Sequence, residues 1–462
     1  MDNIKNYTDR VINSGCGSLT LRVQDSKLKG NSITINGFKH SMVQIICFSI
    51  AYNVKVKIAN APNVIDTHVF CALIKDMGGY ARFSNHTLYI NPTKISNFKI
   101  KENLSKLIHG SLYLMPALLV RCGKFEFCGA GGCQIGDEKV RPQEHLIDIM
   151  TKFGADIQTF NDTLKGSSSC LKEIKTIDIL EYSTNPKQLE GALVGGATKT
   201  AILLSLNQEY VEILNPYIKT DVLDVLRFIQ ELGKEVIVDK DKIIIKNKIK
   251  TTTKVIKFKL TQCVSEIITY ITFAVLNNIS IKIKHLDRPR IELGLKPDLA
   301  LLKDMNVNLC WNKNTLKIYP NSQIKSQNIT ILPTTIQSDH HPFFALMLTK
   351  GNKESSIIEE VWKNRFEYVK NLNKFDIRLV NENNRVTIQP SQFSKKENII
   401  LESKDVRTAA VTLLGAITSH SSVSIINCEH LFRGYDSIIK NLQKLGVKIF
   451  VEENTNENSF YC

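Results

Sequence analysis

A pattern that returns six times constrains this chain more than any one residue in it. The turns Met77-Gly78-Gly79, Phe153-Gly154-Ala155, Leu232-Gly233-Lys234, Met305-Asn306-Val307, Leu372-Asn373-Lys374 and Leu445-Gly446-Val447 each close a stretch with helical hydrophobic spacing, such as residues 225–232. They stand about 67 to 79 residues apart, too far for an ordinary helical solenoid. A short alternating stretch follows, as at residues 236–238, then a polar turn and a second apolar run, as at 243–245. Gly and Asn tolerate the left-handed backbone that ends a helix, and the six turns carry four Gly and two Asn at that place. The pattern predicts six copies of one helix-plus-hairpin unit, arranged as two lobes of three. A body divided in this way has a cleft, and a cleft points toward a ligand.

Composition narrows the class. A chain of 462 residues with 43% hydrophobic residues is long enough for two cores. Its eleven cysteines show no CxxC pair and no paired-zinc spacing, which favours free thiols in a reducing compartment over a disulfide framework. The first 22 residues lack the apolar core of a secretory signal, and no apolar run reaches the ~18 residues of a membrane helix. The expected location is the cytoplasm, without membrane attachment. The net charge of +15 is spread as lysines through residues 240–259 and 363–374 without interleaved aromatics, the pattern of a solvated surface and not of a nucleic-acid groove.

Single charged residues at predicted helix starts say more than the runs. Lys39 opens the apolar stretch 42–50, and Ser338-Asp339 precedes 342–348. Asp405-Val406-Arg407 precedes 408–419, and Arg433-Gly434-Tyr435 precedes 437–445. A helix N-terminus already carries partial positive charge, so a further cation there is unfavourable unless an anion binds. Repeated over several units, these positions outline a cradle for phosphate and carboxylate. A second feature, Gly129-Ala130-Gly131-Gly132-Cys133-Gln134-Ile135-Gly136, holds too many glycines for a helix or strand interior. It reads as a mobile loop exposing Cys133, whose thiol nearby cations would draw toward thiolate. Asp339-His340-His341 lacks an evident third ligand, so no metal is expected. Trp311 and Trp362 read as packing residues.

These motifs carry a resemblance. With Gly131-Gly132-Cys133-Gln134-Ile135-Gly136, Asn364-Arg365-Phe366, Asp405-Val406-Arg407 and Arg433-Gly434-Tyr435 in that order, the chain resembles the enolpyruvyl transferase superfamily beyond an N-terminal extension of about 17 residues. Within it, the likeness is greatest to the UDP-N-acetylglucosamine enolpyruvyl transferases (carboxyvinyltransferases). The resemblance implies a two-domain inside-out α/β barrel with three repeated helix-plus-sheet units per domain. Residues 39–249 would form the domain with the reactive-cysteine loop, and 1–38 with 250–462 a discontinuous second domain. It implies transfer of the carboxyvinyl group of phosphoenolpyruvate to a hydroxyl of a nucleotide-type acceptor, with small-molecule substrates and no cofactor. Cys133, Asp339 and Lys39 fall on catalytic places. The thiol protonates or covalently traps phosphoenolpyruvate, Asp339 takes the acceptor's proton, and Lys39 matches the active-site lysine. Arg365, Arg407 and Arg433 match arginines that hold phosphoenolpyruvate, with Arg141 of Arg141-Pro142 and Asp405 beside them. His40, Gly195 and Gly196 fall on the acceptor side.

The departures gather on that side. His40 replaces an asparagine, His109 an arginine, and Val194 a serine that helps seat the nucleotide. Asn215-Pro216-Tyr217 replaces an acidic pattern, and Arg141 lies eight residues after Cys133 where about five is usual. Three readings follow. The first is transfer to UDP-N-acetylglucosamine, as in peptidoglycan biosynthesis. The second is transfer to UMP or a similar nucleotide, as in nucleoside-antibiotic biosynthesis. The third is a non-catalytic binding relative, against which the retention of both Cys133 and Asp339 argues.

Overall fold

Each of the six turns opens onto a strand at the edge of a four-stranded sheet, and all six sheets are built alike. The computed structural model describes residues 4–14, 18–133, 135–137, 142–182, 191–239, 241–246, 254–320 and 323–454. In every sheet an outer strand runs parallel to its neighbour, and two antiparallel pairings follow. Five hairpins are local, such as Tyr80–Ser84 with Thr87–Asn91 and Glu235–Val238 with Lys242–Lys246. The sixth is not. The strand Lys448–Asn454 pairs antiparallel with Ser18–Gln24, from the N-terminal side of the chain. The fold is therefore α/β with mixed sheets.

The left-handed residue falls where expected in five of the six turns. Gly78, Gly154, Gly233, Asn306 and Gly446 have φ of 94°, 91°, 86°, 63° and 90°. The fifth turn corrects the expectation. Asn373 ends the helix Tyr368–Asn373, and it is Asp376 that turns left-handed at φ 62°. The Asn373 amide bonds the backbone of Leu379 instead, donating to its carbonyl at 2.8 Å and accepting from its N–H at 3.1 Å. A side-chain amide holds one donor group and one acceptor, so it can substitute for a strand neighbour.

The helices lie beneath the sheets. Lys39–Ala51 has no continuous polar face, and its residues from Ser41 to Ala51 are all buried. A helix without a polar face must be surrounded, and this one packs on Leu114–Cys122 and Thr220–Glu231. Val264–Asn277 is buried in the same way and packs on His341–Leu348 and Val406–Thr418. The strands bury alternate residues against these helices, as Ile281–Lys284 does.

Two segments pass between these groups side by side. Phe38 donates its N–H to Thr261 O at 2.8 Å, and Cys263 donates to Asn36 O at 2.8 Å. Gly37 is wedged there: a Cβ on it would lie 2.3 Å from Asn60 O. Ser32–Thr34 pairs with Ile281–Lys284, on the side of the later residues. Ile256–Lys259, past residue 250, pairs parallel with Val56–Ala59 in the sheet of the first turn.

Candidate active site

Lys39 begins its helix at the floor of a cavity of about 230 Å³. Among the described residues, six basic side chains and four aspartates line it. Such an excess of cations in a recess suits anionic ligands. The charges fall into three groups.

The first surrounds Asp339. Its carboxylate bridges two buried arginines, Arg365 Nη2 at 2.5 Å and Arg407 Nη2 at 2.7 Å. Burial works to raise the Asp339 pKa, but Arg407 and Arg365 outweigh it and hold the carboxyl well below the usual range. Arg365 Nη1 also donates to Ser338 Oγ at 2.8 Å, and Ser338 donates to Glu359 Oε2 at 2.7 Å. Arg407 is aimed by its own helix start. Asp405 caps Val406–Thr418, accepting from the N–H of Arg407 at 2.7 Å and of Thr408 at 3.0 Å. Asp405 thus reaches the cavity wall with its carboxylate engaged as a helix cap.

The second group surrounds Cys133. The thiol is 7% exposed, which corrects the expectation of an exposed loop thiol. Its loop is laid down on the residues before it: Gly131 donates to Ser105 O at 3.1 Å, and a Cβ on Gly131 would lie 1.7 Å from Lys106 O. The glycines serve that close approach. Cys133 Sγ sits 3.2 Å from His430 Nδ1 and 3.6 Å from Arg433 Nη1. Burial pushes the thiol up, and the positive charge of His430 and Arg433 more than reverses this, bringing its pKa to about 7. Buried Asp66 joins the group, with Lys39 Nζ 3.1 Å and Arg433 Nε 3.7 Å from its two oxygens. Burial lowers the Lys39 pKa, in part opposed by Asp66. Arg433 lies inside the short helix Leu431–Gly434, not at the start of the following one as the sequence implied.

The third group lies beyond Lys39. Lys199 and Asp221 form a buried ion pair at 2.7 Å. His40 stands nearby, its pKa lowered to about 4 by burial and then by Lys39 and Lys199, so it is neutral at pH 7. Tyr113, Tyr217 and Lys219 complete this wall, and His109 also lines the cavity. Gly195 lines it too, where a Cβ would meet the Tyr217 ring at 3.2 Å. Gly196 does not reach the cavity: a Cβ there would lie 2.2 Å from His145 Nε2, so this glycine allows helix packing.

The structure thus brings Lys39, His40, Cys133, Gly195, Asp339, Arg365, Asp405, Arg407 and Arg433 to one cavity and leaves Gly196 outside it. Arg141, Glu138 and Lys139 lie outside the described residues. Sequence reading missed Asp66, His430, Lys199, Asp221 and Lys219. His430 left a signal, since it stands three residues before Arg433. Trp362, read as packing, lines the cavity as well. The two adjacent histidines are held apart: His340 bonds Asp298 at 2.7 Å and Ser265 at 2.9 Å, and His341 bonds Glu359 at 2.7 Å. Among the described residues no cluster has a metal-ligating set, and no helix is long and apolar enough to cross a membrane.

Known proteins share the sequence family and the fold. A family model described as EPSP synthase (3-phosphoshikimate 1-carboxyvinyltransferase) matches residues 23–442. The UDP-N-acetylglucosamine 1-carboxyvinyltransferase of Pelagibacter ubique (strain HTCC1062) is 26% identical over 436 residues, covering 92% of this chain and 97% of that relative. Among solved structures, the enolpyruvyl transferase NikO from Streptomyces tendae matches with a TM-score of 0.86 at 26% identity, covering 95% of this chain and 100% of that one. EPSP synthase from Acinetobacter baumannii matches with a TM-score of 0.65 at 14% identity over 94% of this chain and 100% of that one, a likeness of fold alone.

Proposed function

The chain belongs to the EPSP synthase (3-phosphoshikimate 1-carboxyvinyltransferase) family and is an enolpyruvyl transferase, and on that premise we propose that it moves the enolpyruvyl group of phosphoenolpyruvate to a hydroxyl of a nucleotide-type acceptor, UDP-N-acetylglucosamine first among them. One observation carries the reading: a single cavity holds a thiol with pKa about 7 and a carboxylate flanked by two arginines. The acceptor oxygen adds to C2 of the enol, its proton passes to Asp339, and C3 gains a proton from Cys133. The resulting ketal then returns a proton from C3 to the Cys133 thiolate. Its C–O bond to phosphate breaks, the double bond re-forms, and phosphate leaves with the bonding pair. Arg365, Arg407, Arg433 and Lys39 offer the donor's phosphate and carboxylate their counter-charges. His430, bonded to Cys133, steadies the thiolate between the two steps.

The hold on Asp339 gives donor binding a second effect. A carboxylate pinned by two arginines is a poor base. The donor's own anionic groups compete for Arg365 and Arg407, and so loosen Asp339 when the acceptor hydroxyl arrives. The parallel pairing of Ile256–Lys259 with Val56–Ala59 supports lobes of residues 39–259 and of 1–38 with 260–462, about ten residues later than the sequence placed the second crossing. The nine described cysteines are free, which supports a cytoplasmic location.

A phosphate-release assay with phosphoenolpyruvate and UDP-N-acetylglucosamine tests the proposal, with Cys133→Ala and Asp339→Asn alongside. Release that the Asp339 variant loses is the expected result. UMP belongs in the same assay, because His40, His109 and Tyr217, which depart from the family pattern, line the cavity. Silence with every nucleotide, while phosphoenolpyruvate binds, sinks the catalytic reading.

A further inference from the structure

Lys219 immediately precedes the helix Thr220–Glu231, is 9% exposed, and lines the cavity. Among the described residues its ammonium makes one hydrogen bond, to the carbonyl of Thr335 at 3.1 Å, and stands 5.2 Å from the centre of the Tyr217 ring. Four carboxylates act on it from a distance: Asp298, Asp221, Asp339 and Glu359. Each is committed elsewhere. Asp298 holds His340 at 2.7 Å, Asp221 holds Lys199 at 2.7 Å, Glu359 holds His341 at 2.7 Å, and Asp339 holds Arg365 and Arg407. A cation withdrawn from water without a carboxylate of its own is costly, and burial brings its pKa down to about 8. Other basic side chains of the cavity answer to a carboxylate: Lys39 and Arg433 to Asp66, Lys199 to Asp221, and Arg365 and Arg407 to Asp339.

We infer that Lys219 binds a phosphate of the nucleotide acceptor. This rests on the enolpyruvyl-transfer reading for the identity of the site, and it adds the group that recognises the acceptor. The donor's anionic groups have four other cations around Asp339 and Cys133. Lys219 stands on the Lys199 wall with Tyr217, where the sequence departs from the family pattern. Its bond to Thr335, 116 residues away, offers the competing role of a tie between two parts of the cavity wall.

Calorimetric titration with UMP, UDP-N-acetylglucosamine and uridine separates the two roles, using the full chain, Lys219→Gln and Lys219→Arg. The glutamine variant is expected to bind the phosphorylated acceptor about ten- to a hundredfold more weakly, the loss of one charge-assisted hydrogen bond. Uridine binding and the KM for phosphoenolpyruvate should stay unchanged, and Lys219→Arg should keep most of the affinity. Equal weakening for uridine and UMP, or a raised KM for both substrates, overturns the inference in favour of the tie. Unchanged nucleotide binding in Lys219→Gln overturns it too. The calorimetric readout needs no turnover, so the inference survives a failed phosphate-release assay if nucleotide affinity depends on Lys219. A wild-type chain that binds no nucleotide defeats both.

Discussion

The two halves of the cavity hold their charges in different ways. Around Asp339, each charge is shared: one carboxylate lies between Arg365 and Arg407, and Arg365 leans in turn on Ser338 and Glu359. On the opposite wall, Lys199 and Asp221 form a closed pair, and Lys219 is left with a carbonyl. A shared carboxylate is an internal stand-in for an anion, and it yields when a stronger one arrives. A closed buried pair yields to nothing, because separating it strands a charge away from water. On the proposed reading, the half that takes the donor exchanges partners, and the half that takes the acceptor holds its shape around Lys219.

The largest effect that could break this comparison belongs to Asp339→Asn. Turnover should fall about 10³-fold or more, the scale of a lost general base, while inorganic phosphate binds more tightly to the freed arginines. Phosphate release and calorimetry read the two separately, and a weaker grip on phosphate would refute the exchange of partners. Next comes Lys199→Met. It should lower stability by about 3–5 kcal/mol in urea unfolding, and Asp221→Leu added to it should restore most of that, as a buried pair replaced whole costs little. A double variant no better than the single one would show that the pair is not closed.

Smaller shifts sharpen the picture. Alkylation of Cys133 by iodoacetamide should follow a titration centred near pH 7, because the pKa is about 7 and the thiolate forms above it. His430→Gln removes a positive neighbour, so its midpoint should move to higher pH. A midpoint that does not move would separate the thiol from His430. His40→Asn restores the residue usual in the family. His40 is neutral at pH 7, so the change removes no charge, and the acceptor KM should shift by less than about tenfold, the worth of a neutral hydrogen bond. A larger shift, or one that varies between pH 6 and 8, would mean that His40 carries charge in the complex.

Much of this was legible in the sequence, for a local reason. A helix end that needs a left-handed residue selects Gly or Asn within a few positions, so the six units could be found from their turns alone. Asn373 misled because Asn has a second use: its amide pins Leu379, and Asp376 takes the left-handed position three residues on. The cavity was legible where motifs persist, at Lys39, Cys133, Asp339 and the arginines. The burial of Cys133 was not, since its cover comes from His430, 297 residues away. Nor was Lys219, one lysine among many, whose meaning lies in carboxylates that are taken by other residues. Asp66 reads from sequence as an ordinary acidic residue in a helix's first turn, and only the fold sets it between Lys39 and Arg433.

The pairing of Ser18–Gln24 with Lys448–Asn454 also sets a schedule. These strands meet across a separation of about 430 residues, and Arg22 bonds Glu452 over it at 2.7 Å. On the ribosome, Ser18–Gln24 is made early and must wait for its partner until nearly everything between them has been synthesised. The sheets of residues 56–246 need only Ile256–Lys259 to be complete, and can form while that strand waits. Contacts this distant in sequence form slowly, and an unpaired strand is a template for other chains in the meantime. The cavity's last arginine, Arg433, lies in the stretch that arrives just before the wait ends, so the site is completed almost together with that sheet.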